Sequence, residues 1–205
     1  MLNRLYFLII IFFMLQTFHT AAQKSLFQSD FTKKDQLILQ GNAAVQDQKL
    51  ILNGKSAFAK IRNSSTFHLG KEGLTLAATV KFNDSGTVNN RADSYDMIFS
   101  KKNEFIFGRN MKKLYVNLHD GKKWCAPALD GKAPAPGEWN HLAAVIRKIN
   151  DEAQGKHGYA IGIYLNGTQV VSKSFFNIEP QKTENEIEIG SGFGGGPWLF
   201  NGEIA

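Results

Sequence analysis

Leu74, Leu76, Ala78, Val80 and Phe82 stand at alternate positions of one stretch, with Thr75, Ala77, Thr79 and Lys81 between them. A two-residue period sends successive side chains to opposite faces of a strand, so this stretch is predicted to be a strand with one buried face. Tyr159, Ile161, Ile163 and Leu165 alternate in the same way with Ala160, Gly162, Tyr164 and Asn166. Leu142, Ala144 and Ile146 alternate with Ala143, Val145 and Arg147; both faces are apolar, which predicts a central strand. No stretch after Gln23 keeps a 3.6-residue apolar period over three turns, so a helical fold is excluded. The dipeptides Asn53-Gly54, Asp120-Gly121 and Asn166-Gly167 each lie between a pair of such segments. They tolerate positive φ at both central positions, as a tight hairpin requires. Together these features predict an all-β antiparallel sandwich or barrel. Longer polar loops are expected at 83–96, 150–158 and 191–197.

The start of the chain follows a different rule. Arg4 precedes an apolar run over residues 5–18, and Thr20, Ala21 and Ala22 then supply small residues. This is the pattern of a secretory signal peptide, expected to be cut after Ala22, and the run is short for a membrane span. Residues 1–22 are thus assigned to the signal and 23–205 to one domain, with no transmembrane segment left after cleavage. The product is expected to be secreted, periplasmic or on the cell surface. The single cysteine, Cys125, excludes a disulfide scaffold, and with only five histidines a Cys/His zinc site is not expected. An exported chain without disulfides suggests a bacterial protein that relies on its core. The net charge of +6 favours anionic partners. The absence of a recognition helix in an exported chain argues against nucleic acid.

Five segments, taken in order, resemble the laminin-G-like, concanavalin A-like group of lectin and glucanase domains: residues 49–61 (KLILNGKSAFAKI), 73–80 (GLTLAATV), 137–145 (GEWNHLAAV), 163–167 (IYLNG) and 200–204 (FNGEI). The resemblance implies an antiparallel jelly-roll β-sandwich. It also implies a carbohydrate-binding role, since such domains are often appended to secreted bacterial glycosidases, including sialidases. A catalytic domain on the C-terminal side of a longer chain is one expectation that follows. The family often has an aspartate where Ala205 stands, and that aspartate can belong to a calcium site. Bound Ca²⁺ is therefore a lesser expectation here, with Asp30 as one oxygen donor. The family also continues into a further strand, so the last strand is expected to be missing from this sequence.

The candidate ligand residues come from context. Trp124, beside a turn, is the first candidate for stacking on a sugar ring. Arg109, Asn117, His119 and Lys122 lie close to it in sequence, with Lys112, Lys113 and Lys123, and their charge suggests an acidic glycan. Tyr95 and Trp198, each beside a polar loop, form a second group. Trp139, ahead of an apolar strand, is expected in the core, and the lysine pairs, Lys101-Lys102 among them, on a solvated surface. Glu184, Glu186 and Glu188 would share one face of a strand, at a spacing of about 7 Å that suits a glycosidase pair. A strand with Ile inside and Glu outside is equally what a half-exposed sheet shows. The reading is therefore a non-catalytic, lectin-like module. The alternatives are an accessory domain of a glycoside hydrolase and a free-standing glucanase using the glutamate row.

Overall fold

The computed structural model describes residues 25–32, 36–70, 73–84, 95–193 and 198–205. The signal segment 1–22, the Lys33-Lys34 pair, most of the 83–96 loop and some of the 191–197 loop lie outside them. The described strands are β1 (Leu37–Gln40), β2 (Ala44–Gln46), β3 (Lys49–Asn53), β4 (Phe58–Ile61), β5 (Leu74–Phe82), β6 (Tyr95–Lys101) and β7 (Phe105–Asn110). They continue as β8 (Lys113–Leu118), β9 (Ala128–Lys132), β10 (Trp139–Asp151), β11 (Lys156–Leu165), β12 (Thr168–Phe176), β13 (Ile187–Ile189) and β14 (Asn201–Ile204). They form two seven-stranded antiparallel sheets, ordered β1-β4-β13-β6-β7-β8-β9 and β12-β11-β10-β5-β14-β3-β2. This is the expected jelly-roll sandwich. Among the described residues no helix is long and apolar enough to cross a membrane.

The two-residue periods translate directly into packing. Leu76, Ala78, Val80 and Phe82 of β5 are buried while Thr75 and Ala77 are exposed or nearly so at the opposite phase. Leu142, Ala144 and Ile146 of β10 face the same core, and β10 is interior to its sheet, between β11 and β5. The three glycine dipeptides do not all behave alike. Asn166-Gly167 closes a two-residue hairpin, with Leu165 opposite Thr168 and φ of 50° and 82° at the two turn residues. Asp120-Gly121 turns the chain so that His119 bridges Trp124. Asn53-Gly54 makes no hairpin, because β3 and β4 belong to different sheets. There the Asn53 side-chain oxygen accepts the N–H groups of Lys55, Ser56 and Ala57, holding a corner that carries the chain across the sandwich. The loop expected at 150–158 is instead mostly strand: β10 and β11 stay paired out to Asp151 and Lys156, around a single 3-10 turn.

Two expectations about side chains are corrected. Trp139 is 40% exposed on the outer face of the second sheet. It occupies the opposite phase of the alternation from buried Asn140, Leu142 and Ala144. Its ring lies 5.3 Å from the Lys81 ammonium and 6.0 Å from that of Lys49, and both lysines pair with Glu203. Lys101 is not on a solvated surface but fully buried. Its ammonium donates to the carbonyls of Ser65 and Phe67 and lies 3.3 Å from the Glu104 carboxylate. Glu104 also accepts the N–H groups of Leu69 and Thr183, so this pair ties the β6–β7 turn to two distant segments. Burial pushes the Lys101 ammonium below its ordinary pKa, against the pull of Glu104.

Candidate functional site

The outer face of the first sheet carries a second apolar cluster, separate from the core. Met97 of β6, Ile106 of β7 and Tyr115 of β8 form its floor, with Tyr95, Trp124, Leu129, Phe193 and Trp198 packed on them and only partly buried. Each outward residue alternates with a core residue. Leu114, Val116 and Leu118 point inward along β8, which leaves Tyr115 and Asn117 on the other face. The rings form a connected series. Trp124 stacks on Phe193 with centroids 5.6 Å apart and planes inclined by 22°. Phe193 meets Trp198 at 5.2 Å, Trp198 meets Tyr95 at 4.9 Å, and Tyr95 meets Tyr115 at 5.5 Å. His119 closes the far end, edge-on to Trp124 at 5.0 Å.

Backbone features make this assembly possible. In the register Gly108 stands between Met97 and Tyr115, and it has no side chain to come between Tyr95 and Tyr115. A Cβ at Gly192 would come within 2.6 Å of the Trp198 ring. Phe193 holds φ of 80°, a conformation that bulky residues rarely adopt and that tends to mark functional sites. The segment that carries it is anchored by Ser100, whose hydroxyl donates to the Ser191 carbonyl at 2.6 Å.

Polar groups border the rings. The Asn117 oxygen accepts the N–H groups of Leu118 and Ala126, and its amide donates to the Tyr115 hydroxyl at 2.7 Å. Burial pushes the Tyr115 phenol above its usual pKa. The His119 Nδ1 accepts the Gly121 N–H at 3.0 Å, which leaves Nε2 as the protonated donor of the neutral ring. The Asp120 carboxyl is held below its usual range by the N–H groups of Lys123 and Lys122. Burial raises the Cys125 thiol, which is therefore no reactive thiolate.

The structure thus brings Tyr95, Asn117, His119, Trp124 and Trp198 to one surface, joining two groups of candidates that are separate in sequence. Lys122 is exposed on the turn beside Trp124. Arg109 is corrected. It lies in phase with Phe105 and Phe107, so it points inward, and its side chain is fully buried. Its guanidinium donates to the carboxylates of Asp96 and Asp84 and to the Asp84 carbonyl, and it lies 4.2 Å from the Phe82 ring. All three of its nitrogens are engaged, so it offers a ligand nothing. The glutamate row is not assembled either. The strand spans only Ile187–Ile189, leaving Glu184 and Glu186 outside it, while Glu188 is buried with its nearest carboxylate oxygen 4.0 Å from the Lys60 ammonium. Among the described residues no group of three or more His, Cys, Asp or Glu is placed to hold a metal ion. One oxygen of Asp30, the donor considered for calcium, accepts the amide and hydroxyl of Thr32. Sequence reasoning missed Tyr115 and Phe193. The phase of β8 marked the first, and nothing local marked the second.

Residues 53–205 match the family described as the concanavalin A-like lectin/glucanases superfamily. The chain belongs to this superfamily. Among solved structures, the receptor-binding domain of botulinum neurotoxin C/D mosaic serotype shares 14% identity at a TM-score of 0.52, over 82% of this chain and 42% of that one. The receptor-binding domain of botulinum neurotoxin D shares 13% identity at 0.50, over 75% and 39%. Domain 4 of AbnA, an extracellular arabinanase from Geobacillus stearothermophilus solved with arabinotriose, shares 16% identity at 0.48, over 82% and 78%. At these identities the likeness is one of fold. Among curated proteins none matches the chain. As a concanavalin A-like domain, the chain carries this ring series on the sheet that contains β6, β7 and β8.

Proposed function

We propose that this chain is an exported carbohydrate-binding module that holds a glycan against the ring series and does not cleave it. The observation that carries this reading is the series itself: five aromatic side chains, Tyr95, Tyr115, Trp124, Phe193 and Trp198, linked on the outside of a sheet in a lectin/glucanase superfamily domain. The flat, weakly polar face of a sugar ring matches an aromatic face, while its hydroxyls find the indole, imidazole and phenol donors at the edges. The dispersed glutamates supply no acid and base facing one another across a bond.

A glycan array, followed by calorimetry on the hits, tests the reading. Binding is expected for the native protein and a loss of about tenfold or more for Trp124→Ala and for Tyr95→Ala, with folding retained. Binding unchanged in both variants would overturn it. A reducing-sugar assay on the same glycans is expected to show no release, and turnover abolished by Glu188→Gln would restore the glucanase reading. Export is tested separately: the amino terminus of material released from producing cells is expected at Gln23, and soluble protein with Met1 intact inside the cell would refute it.

A further inference from the structure

The sequence suggests an acidic ligand; the structure takes Arg109, the strongest ground for it, out of reach. Resting on the proposed glycan-binding role, we infer that the ring surface selects uncharged glycans. Arg109, the residue best suited to grip a carboxylate or sulfate, is sealed in the core by Asp84 and Asp96. The basic pairs around it are split by β8, since Lys112 and Lys113 stand at the start of the strand and Lys122 and Lys123 beyond its far end. A six-residue strand holds them about 20 Å apart, more than one sugar unit can bridge. Acids stand beside some of the remaining cations. Lys113 lies 4.0 Å from Asp130, Lys60 lies 4.0 Å from Glu188, and the Asp120 carboxylate caps the Lys122–Lys123 turn.

The register adds a second argument. Glu188, Ser100, Ile106 and Asn117 are consecutive partners across β13, β6, β7 and β8, so they form one row on the ring-bearing face. A carboxylate therefore already stands in the row that holds Ile106 and Asn117. A second anion laid against the rings would lose its hydration and meet no cation among the ring side chains themselves. Moving an ion out of water without a partner is far costlier than moving a hydroxyl that finds a donor. The donors at hand, the indole N–H groups, His119 Nε2 and the Tyr95 hydroxyl, suit the lone pairs of neutral sugar hydroxyls.

The test uses the native chain and a library of neutral hexose and pentose oligosaccharides, printed beside uronic-acid and sulfated counterparts of the same length. Affinities are measured at about 0.05 M and 0.5 M salt, where screening lengths differ roughly threefold. Neutral oligosaccharides are expected to bind, with affinity changed less than about twofold between the two salts. The Lys122→Ala/Lys123→Ala double variant is expected to bind as the native protein does, and Trp124→Ala to lose binding. If acidic members bind, their affinity falls with salt and Trp124→Ala abolishes them, the inference of neutrality fails while the ring site stands. If binding survives Trp124→Ala and Tyr95→Ala, the ring site itself fails. If no glycan binds at either salt, both fail together.

Discussion

Replacing Arg109 by methionine keeps much of the length and the apolar stem of the side chain and removes the cation that faces Asp84 and Asp96. Asp96 then loses its charge partner while its side chain is only 9% exposed; Asp84, at 21%, recovers some of its hydration. Breaking a buried ion pair from one side costs roughly 3–5 kcal/mol, and the partial exposure of Asp84 places this case near 3. At about 2–4 °C per kcal/mol for a domain of this size, the melting temperature is expected to drop by about 6–12 °C. The loss has a characteristic pH dependence. Burial already pushes the Asp96 carboxyl above its ordinary pKa, with Arg109 pulling it back. Without Arg109 the folded-state pKa rises further. An acid with a folded pKa above its unfolded value binds more protons when folded, so stability declines as pH rises from the unfolded pKa through the folded one. The deficit of Arg109→Met is therefore largest at neutral pH and shrinks on acidification toward the unfolded carboxyl value of about 4. Urea unfolding followed by tryptophan fluorescence at about pH 7 and pH 5 measures it. The second change in Arg109→Met/Asp96→Asn is expected to restore more than half of the loss at neutral pH. A single-variant loss below about 1 kcal/mol, or one equal at both pH values, would show that Arg109 is not the buried counter-ion.

Trp139→Ala is expected to cost less than about 1 kcal/mol in the same urea assay, against about 3–5 for a tryptophan in a core. Glu104→Gln leaves the buried Lys101 ammonium without its anion and should destabilise by roughly 3 kcal/mol or more, with faster hydrogen exchange at the Leu69 and Thr183 amides. Gly192→Ala forces the Trp198 ring to move. It should lower glycan affinity as much as Trp198→Ala does, at a stability cost of about 1–3 kcal/mol.

What could be read from the residues was whatever depends on period. The buried faces of β5, β10 and β11 follow from alternation alone, and so does the sandwich. Arg109 and Trp139 show the same rule ignored. Phase with Phe105 and Phe107 turns Arg109 inward, and phase against Leu142 and Ala144 turns Trp139 outward, whatever polarity suggests for either side chain. The ring surface could not be read as a whole, because Tyr95, Tyr115, Trp124, Phe193 and Trp198 come from separate stretches of the chain and meet only through sheet order. The strand order β6-β7-β8 and the anchoring of the segment after β13 are tertiary facts. The Asn53-Gly54 corner makes the same point, since its dipeptide is that of a hairpin and only the pairing of β3 and β4 with other strands reveals a crossing.

The positions of β13 and β14 have a consequence for how the chain is made. Each is a late strand placed inside a sheet built from early ones: Glu188 pairs with Lys60 and Ser100, and Ile204 pairs with Leu50 and Val80. A growing chain that has reached β12 therefore has open backbone edges on β4 and β6, and again on β3 and β5, and neither sheet can close. Pairings this distant in sequence form slowly and only after β13 and β14 have emerged. Until then those edges stay open to pairing with other chains. A sandwich whose sheets are not yet closed is also more easily threaded through a membrane channel than a finished one, in keeping with the proposed export.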